Sequence, residues 1–325
     1  MSSLAMIEAA AARLRGHVRR TPLLSSPFLD EIAGRRVMVK PECLQVTGSF
    51  KFRGGWSALS ALDDATRARG VIAFSSGNHA QGVAMAAKLH GVAAVIVMPI
   101  DAPRQKIENT RAMGAEVVLY DRETEDRDAI GARLAQDRGL TLIRPFDEPQ
   151  VIAGQGTIGL ELAGQAAAEG VSEAEVLIPC GGGGLSSGIA LALEGRAPGL
   201  RARTVEPAGF DDVARSLASG RIERNNRLSG SICDAIVTPE PGRITFPILQ
   251  RLCGPGLAVS DDDALHAMAL GFSRLRIVAE PGGAVALAAA LLHGSELRGD
   301  AVIAVVSGGN VDAALFCTAL ERFAP

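Results

Sequence analysis

The stretch EVLIPCGGGGLSSGIALAL, residues 175–193, decides the fold class of this chain of 325 residues. An apolar run is followed by four consecutive glycines and then by a segment rich in small residues. The pattern predicts a buried parallel strand, a turn and a helix. Four glycines let successive backbone N–H groups point inward, and the N-terminus of the following helix adds partial positive charge. The turn is therefore predicted to bind an anion, and a phosphate fits best.

Similar apolar segments recur along the chain, and helical segments alternate with them. The predicted strands are RRVMVK (35–40), GVIAF (70–74), AAVIVMP (93–99), AEVVLY (115–120), LTLIRPF (140–146), AEVLIP (174–179), RARTVEP (201–207) and AVIAVV (301–306). Such alternation is typical of α/β proteins whose parallel sheets are covered by helices on both faces. No Gly/Ser linker divides the chain, so we expect two open parallel-sheet domains formed by a chain that crosses over and returns.

Composition excludes several classes of protein. The formal net charge is −3, which leaves no basic surface for nucleic acid. No run of 18 apolar residues is present, so no membrane span is expected. Residues 1–20 predict a short amphipathic helix without the cleavage site of a secretory signal. The five cysteines lack CxxC spacing, which indicates a reducing cytoplasm and no zinc site.

Two further glycine-rich turns follow predicted strands, in FSSGNHAQG (74–82) and VVSGGNVDAAL (305–315). Ser75, Ser76 and Asn78, with free N–H groups, would surround a small anion such as a carboxylate. As helix caps, the same side chains would only stabilise the first turn. Ser307 is placed either to donate or accept a hydrogen bond at the sheet edge or to cap a helix. All three turns lie beyond the carboxyl ends of strands, where open α/β sheets bind ligands.

The segment TGSFKFRG, residues 47–54, places Lys51 among small residues and an aromatic ring. A lysine in a first helical turn is usually solvated, whereas an amine held in a site can form a Schiff base. A phosphate turn, a carboxylate turn and a lysine together indicate pyridoxal phosphate with an amino acid substrate. A dinucleotide fits less well: Glu206 lies where a ribose-binding acid would, but Ser186 stands where GxGxxG requires glycine.

The motifs TGSFKFRG, SSGNHAQG, PCGGGGLSSG, EPGGA and SGGN occur in an order that resembles the threonine/serine dehydratase and serine racemase family. The resemblance covers nearly the whole chain. It implies the tryptophan synthase β-like fold, fold type II of pyridoxal-phosphate enzymes, with the active site in the cleft between the domains. It also implies a large cofactor-binding domain of residues 1–65 and 145–325 and an inserted small domain of residues 66–144.

The resemblance implies roles for individual residues. Lys51 is expected to hold the cofactor as a Schiff base next to Phe50 and to move the α-proton of the substrate. Asn78 is expected at the ring hydroxyl and Ser307 at the pyridine nitrogen. The backbone N–H groups expected at the phosphate are those of Gly181, Gly182, Gly183, Gly184 and Leu185. The residues expected at the substrate carboxylate are Ser75, Ser76, Gly77, Asn78 and His79.

Two features resemble serine racemases in particular. Ser76 stands where common threonine dehydratases carry alanine and where racemases and 3-hydroxyaspartate dehydratases carry serine. It is either an acid/base opposite Lys51 or a helix cap. VEPAGFDD, residues 205–212, resembles the racemase metal loop, which implies that Glu206, the Phe210 carbonyl and Asp212 bind Mg²⁺ or Ca²⁺. The alternative is an acidic helix N-terminus capped by Asp211 or Asp212.

Three other positions carry weaker expectations. Arg53 is assigned to a structural salt bridge or to the neighbourhood of the phosphate. Glu280, in AEPGGA, lies near the site or caps the helix that follows, and we favour the cap. The chain ends at Pro325, soon after SGGN. We therefore expect no regulatory domain, no isoleucine feedback and a catabolic role.

The sequence thus predicts a cytoplasmic, homodimeric ammonia-lyase that acts on a small-molecule amino acid. It would eliminate the β-hydroxyl of L-threonine or L-serine and release a 2-oxo acid and ammonia. Serine racemase, 3-hydroxyaspartate dehydratase and phenylserine dehydratase are alternatives that use the same site. Less consistent with the motifs are β-replacement as in cysteine synthase, an NAD-dependent dehydrogenase and a catalytically silent cofactor-binding protein.

Overall fold

The computed structural model describes residues 2–75, 77–102, 104–121, 123–227 and 229–325, with the side chain of Gln105 left aside. Strands and helices alternate through most of these ranges. The strands are β1 (Leu24–Ser25), β2 (Arg36–Pro41), β3 (Val71–Phe74), β4 (Ala94–Pro99), β5 (Glu116–Tyr120), β6 (Thr141–Leu142), β7 (Ala174–Pro179), β8 (Leu200–Pro207), β9 (Leu257–Val259) and β10 (Ala301–Val306).

The helices bear out the predicted alternation. They are α1 (Leu4–Leu14), α2 (Pro27–Ala33), α3 (Lys51–Ser60), α4 (Asp64–Ala68), α5 (Asn78–His90), α6 (Arg104–Ala112), α7 (Arg127–Arg138), α8 (Pro149–Ala168), α9 (Gly184–Arg196), α10 (Asp212–Ser219), α11 (Thr245–Leu252), α12 (Asp261–Leu270), α13 (Pro281–Leu292) and α14 (Ala313–Phe323). None of the helices described here is both long and apolar enough to cross a lipid bilayer.

The strands form two sheets, which confirms the predicted α/β class with two parallel-sheet domains. One sheet has six strands in the order β1-β2-β10-β7-β8-β9, and the other has four in the order β5-β4-β3-β6. Neighbouring strands pair in parallel throughout the described sheets, except that β1 pairs antiparallel with β2. Strands β3 to β6 lie between residues 71 and 142, inside the range 66–144 expected for the small domain. The domain bounds themselves stay a prediction.

The segment LTLIRPF forms a much shorter strand than the sequence predicts. Only Thr141–Leu142 pairs as β6, and the Ile143 N–H adds one more bond, of 2.9 Å, to the Ile72 carbonyl. Pro145 has no N–H to donate to a ladder, so the strand ends before it. The chain then turns into the space between the two sheets, where Pro145 and Phe146 line a cavity.

Helices α8 and α9 pack closely because glycines face each other across their contact. A Cβ placed on Gly188 would lie 2.6 Å from the Gly156 nitrogen, and one placed on Gly156 would lie 2.7 Å from the Gly188 carbonyl oxygen. No side chain fits in that space. The close contact fixes where α9 begins, and therefore where the glycine-rich turn before it lies.

A buried group of charges joins α3 to α8 and β2. Arg53 is fully buried; its Nε lies 2.8 Å from Glu42 Oε2 and its Nη1 lies 2.7 Å from Glu161 Oε1. Lys40 Nζ donates to the other oxygen of Glu161 at 2.5 Å. Of the two expectations for Arg53, the structural salt bridge is therefore correct. Each charge has partners of opposite sign, as a buried charge requires.

Replacing Arg53 should destabilise the chain strongly. In Arg53→Met, Glu42 would keep a buried carboxylate without its main partner, which costs about 3–5 kcal/mol. Urea unfolding of Arg53→Met measures this loss. Arg36→Met is the matched control, because Arg36 pairs with Glu169 at the surface, where such pairs contribute about 0–1 kcal/mol. Equal effects of the two substitutions would contradict the role of the buried group.

Candidate active site

A cavity of about 220 Å³ lies between the two sheets, at the carboxyl ends of their strands. Phe74 at the end of β3, Pro179 at the end of β7 and Ser307 just after β10 all line it. This is the position in which open parallel sheets bind ligands. The predicted residues Phe50, Lys51, Ser75, Gly77, Asn78, His79, Gly181, Gly182, Gly183, Gly184, Leu185 and Ser307 all line this cavity.

Lys51 is the first residue of α3, and its amine points into the cavity. Nζ donates to the Pro145 carbonyl at 2.8 Å and lies 5.1 Å from the centre of the Phe50 ring. Burial lowers the pKa of Lys51 to about 8, although the nearby Glu280 partly opposes this. A lowered pKa increases the fraction of neutral amine near pH 7, and the neutral amine is the nucleophile.

The glycine-rich turn between β7 and α9 is packed so tightly that side chains are excluded. Gly183 has a left-handed backbone with φ of 91°. A Cβ placed on Gly184 would lie 2.9 Å from the Phe146 Cα. The Gly182 carbonyl accepts from Thr245 Oγ1 at 2.6 Å and from the Gly242 N–H at 3.1 Å, which holds the turn from behind. Because this turn opens α9, it fits the phosphate expected there.

The second turn precedes α5, whose first residue is Asn78. Ser75 Oγ accepts from the Gly77 N–H at 3.2 Å. His79 is buried, and its Nε2 lies 2.9 Å from the Ile143 carbonyl oxygen. Burial, and then the charge of Lys51, lower the pKa of His79 to about 3, so its ring is neutral and donates to that carbonyl. Ser76 lies outside the described residues, and its acid/base role stays a prediction.

Asn78 links this turn to residues on the side of the cavity formed by the six-stranded sheet. Its Nδ2 donates to Glu280 Oε1 at 2.5 Å, and its Oδ1 accepts from Asn310 Nδ2 at 2.7 Å. The favoured capping role of Glu280 is wrong, because its side chain makes no capping bond to α13. Glu280 instead lines the cavity, and burial raises its pKa to about 7.

Ser307 also does not cap a helix. Asp312 caps α14, accepting from the Ala314 N–H. The Ser307 backbone is held on both sides, since its N–H donates to the Gly283 carbonyl at 3.2 Å and its carbonyl accepts from the Phe50 N–H at 3.1 Å. The backbone of Ser307 is therefore held in place next to Phe50, and both residues line the cavity.

The acidic loop expected to bind a metal lies behind the glycine-rich turn, outside the cavity. Glu206, at the end of β8, caps α10 by accepting from the N–H groups of Val213 (2.9 Å) and Ala214 (2.7 Å). The alternative to the metal, a cap by Asp211 or Asp212, is not formed, since neither side chain accepts from the first turn. Asp212 Oδ1 accepts from Asn225 Nδ2 at 2.6 Å, whereas Oδ2 is buried and has no hydrogen-bond partner among the described residues.

This loop has the features of a weak cation site. Burial, and then the charge of Asp212, raise the pKa of Glu206 well above its ordinary value, and burial raises that of Asp212 to about 7. A divalent cation would lower the pKa values of both carboxyl groups and would give Asp212 Oδ2 a partner. The two carboxylates therefore fit a divalent cation. Within the described ranges, no three His, Cys, Asp or Glu side chains form a cluster that could hold a metal. A metal here would therefore need the Phe210 carbonyl or water as further ligands.

Several cavity residues were not predicted from the sequence. They are Phe74, Lys106, Pro145, Phe146, Gln155, Asp234, Ala235, Ile236 and Thr238. Lys106 on α6 reaches Asp234, in a short turn on the other side of the cleft, at 3.4 Å between Nζ and Oδ2. Phe74, Pro145 and Phe146 lie in segments that the sequence analysis assigns to strand ends, without a role. The others come from helices and turns that carry no local motif, so no sequence signal marked them.

Comparisons with known proteins give consistent results. Residues 14–308 match the family model described as pyridoxal-phosphate dependent enzyme. The chain is 44% identical to an L-threo-3-hydroxyaspartate ammonia-lyase of Pseudomonas sp, over 99% of each chain. Among solved structures it is similar to a threonine deaminase from T.th. (46% identity, TM-score 0.90, covering 95% of this chain and 99% of that one). It is also similar to maize serine racemase (36% identity, TM-score 0.90, 99% and 97%).

The titration of Glu280 should be visible in the stability of the cofactor-free chain. The folded state keeps its proton up to about pH 7, whereas the unfolded state loses it near its ordinary pKa of 4.5. The folded state then binds more protons in this window, so the free energy of unfolding falls as pH rises. Glu280→Gln should reduce that fall. Urea unfolding between pH 4.5 and 7.5 tests this, and parallel curves for the two proteins would contradict it.

Proposed function

Because the chain belongs to the pyridoxal-phosphate dependent enzyme family, we propose that it is an ammonia-lyase for β-hydroxy amino acids. It removes the β-hydroxyl of L-threonine, L-serine or a related substrate and yields a 2-oxo acid and ammonia. The observation that supports this most is the Lys51 amine, with its pKa lowered to about 8, in a cavity shared with the glycine-rich turn. The threonine deaminase and 3-hydroxyaspartate ammonia-lyase relatives point to the same reaction class.

The residues of the cavity fit the cofactor at each end. When bound, pyridoxal phosphate supplies an electrophilic aldehyde carbon and a conjugated ring that withdraws electrons from a substrate α-carbon. The turn Gly181–Gly184, with Leu185, would hold its phosphate through backbone N–H groups. Asn78 would meet the ring hydroxyl and Ser307 the pyridine nitrogen. The Ser307 hydroxyl does not stabilise a positive charge on that nitrogen as a carboxylate would, which favours rapid β-elimination.

Lys51 would also move the protons of the reaction. As a neutral amine it accepts the α-proton, and as an ammonium it can return a proton to the departing hydroxyl. The substrate carboxylate would lie at the start of α5, against Ser75, Ser76, Gly77, Asn78 and His79, where the helix N-terminus favours negative charge. Since His79 is neutral and donates to a carbonyl, it positions the turn and is not needed as an acid.

Lys51 is the residue whose replacement should abolish turnover. Purified protein, reduced with borohydride and digested, should carry the cofactor tag on the peptide that contains Lys51. Lys51→Ala should lose the tag and reduce kcat by about 10³-fold or more, because nucleophile and base are lost together. Lys88→Ala, on the exposed end of α5, is the control and should keep both. A tag on another lysine would refute the proposed function.

A second candidate substrate is 3-hydroxyaspartate. Relatives from Pseudomonas sp and Saccharomyces cerevisiae, 44% and 43% identical, are L-threo-3-hydroxyaspartate ammonia-lyases. A second carboxylate on the substrate needs a cationic partner. Among the described residues that line the cavity, Lys106 is the cation besides Lys51, and its partner Asp234 is largely exposed, with 71% of its side chain accessible. Asp234 can therefore move into water and leave Lys106 to the substrate.

A substrate panel separates these candidates. If 3-hydroxyaspartate is the substrate, Lys106→Met should raise the KM for 3-hydroxyaspartate about tenfold or more, because a charge-assisted hydrogen bond is lost. The KM for L-threonine and L-serine should change little. Lys88→Met is the control for loss of one positive charge from the same domain. Release of 2-oxo acid from L-serine, L-threonine and both 3-hydroxyaspartate diastereomers is the measurement. An equal effect on all substrates would exclude the pairing with Lys106.

Serine racemase activity remains the alternative, and it depends on Ser76. Serine racemase relatives from rice and Schizosaccharomyces pombe are 37% and 38% identical. Ser76→Ala should abolish turnover of one serine enantiomer only if Ser76 serves the face opposite Lys51.

We also propose that Mg²⁺ or Ca²⁺ binds at Glu206, Phe210 and Asp212. The same panel run with a chelator tests this, and unchanged rates would leave Glu206 as a cap alone.

We place the enzyme in the cytoplasm and propose a homodimer. All five cysteines are free thiols, which suits a reducing compartment.

The dimer would use a surface on which large apolar side chains remain exposed around one turn: Phe28 is 54% exposed and Phe272 is 39% exposed. Arg274, on the same turn as Phe272, covers Phe28 with its guanidinium 4.7 Å from the ring centre. A second copy of the chain is the partner we propose for this surface.

A further inference from the structure

Gln155 is a polar side chain of the cavity that the mechanism above does not use. It lies on α8, is fully buried and lines the cavity. Neither its Oε1 nor its Nε2 has a hydrogen-bond partner in the part of the chain that the structure describes. A buried amide without partners is costly, so this side chain indicates a missing partner in the cavity.

The two other glutamines of α8 have hydrogen-bond partners. Gln150 accepts from Arg13 Nη2 at 2.9 Å. Gln165 accepts from Lys40 Nζ at 3.0 Å and donates to the Thr21 carbonyl at 2.8 Å. Both lie away from the cavity walls. The buried amide atoms that lack a partner on this helix thus occur where the helix meets the cavity.

The Gln155 amide lies between the helix of Lys51 and the glycine-rich turn. A Cβ placed on Gly184 would lie 2.9 Å from Gln155 Oε1, and one placed on Gly54 would lie 3.0 Å from Nε2. Rotation about the last side-chain bond exchanges these two ends, so either can face the turn. Gly184 is the first residue of α9, where an anion would meet the helix N-terminus.

Other unpaired polar atoms surround the same turn. Within the described ranges, the buried hydroxyls of Ser186 and Thr238 have no hydrogen-bond partners, and both residues line the cavity. A Cβ on Gly181 would lie 3.2 Å from the Thr238 Cγ2, which places Thr238 next to the turn. The glycine-rich turn is therefore bordered by side chains that can donate hydrogen bonds. A phosphate, with its several acceptor oxygens, is the group that such a set of donors suits.

We propose that Gln155 donates through Nε2 to the phosphate of the cofactor held at Gly181–Gly184. The inference rests on the proposed function, because it requires pyridoxal phosphate in this cavity. The ring end of the cofactor would lie at Asn78 and Ser307, on other elements, so Gln155 acts on the phosphate and not on the ring. It adds a side-chain amide donor to the backbone N–H groups of the turn.

The test compares pyridoxal phosphate with pyridoxal, which lacks the phosphate. Both bind through the same aldehyde, so absorbance titration of the full chain, freed of cofactor, measures each Kd. Gln155→Leu should raise the Kd of pyridoxal phosphate about tenfold or more, the worth of a hydrogen bond to a charged group. The Kd of pyridoxal should change less than about twofold. Gln155→Glu, which places negative charge beside the phosphate, should raise the Kd of pyridoxal phosphate relative to that of pyridoxal by more than Gln155→Leu does.

Gln165→Leu is the matched control on the same helix, and it should lower stability without changing the ratio of the two Kd values. If Gln155→Leu weakens both ligands equally, or neither, Gln155 does not contact the phosphate and the inference is overturned. If the unmodified chain binds neither ligand, the proposed function fails instead. Should Gln155→Leu not fold, Gln155→Glu gives the same comparison, and an unchanged ratio for it would also overturn the inference.

Discussion

Close contact between four helices, made possible by glycines, places the groups of the active site. A Cβ on Gly82 of α5 would lie 2.8 Å from the backbone carbon of Lys51, and Gly188 of α9 approaches Gly156 of α8 equally closely. Any side chain at these positions would push the helices apart. The start of α5, the Lys51 amine and the start of α9 would then move relative to each other. The contact brings two helix N-termini and one amine to a single cavity.

The buried charges of the chain fall into two kinds. Arg53, Lys40, Glu42 and Glu161 satisfy one another through several ion pairs, and they join helices and a strand without reaching the cavity. Lys51, a half-buried residue, and the buried Glu280 have only neutral hydrogen-bond partners among the described residues, a carbonyl and an amide. Burial therefore shifts their pKa values toward neutrality, to about 8 and about 7. The charges at the cavity thus differ from the structural ones in lacking a directly bonded partner of opposite charge.

The expectations that were correct depend on patterns within short segments. The strand–turn–helix alternation, the class of the sheets and the placement of Lys51 at a helix start all follow from apolar runs and glycine positions. The favoured cap by Glu280, and the alternative cap by Asp211 or Asp212, are not formed, because a cap depends on which side chains are neighbours in space. Glu206, six residues before Asp212 in the chain, reaches the first N–H groups of α10 from the end of β8. Glu280 bonds instead to Asn78, which lies 202 residues away.

The sequence alone determined the local chemistry: a lysine at a helix start, three glycine-rich turns at strand ends, and an acidic loop. These are properties of residues close together in the chain, where backbone freedom and side-chain type act directly. Only the tertiary structure decided which distant groups share the cavity. Phe146, Lys106 and Gln155 belong to ordinary-looking segments, and their place at the site results from helix packing and from the turn after β6. Burial, which sets the pKa of Lys51 and leaves Gln155 unpaired, is likewise a property of the packed chain as a whole.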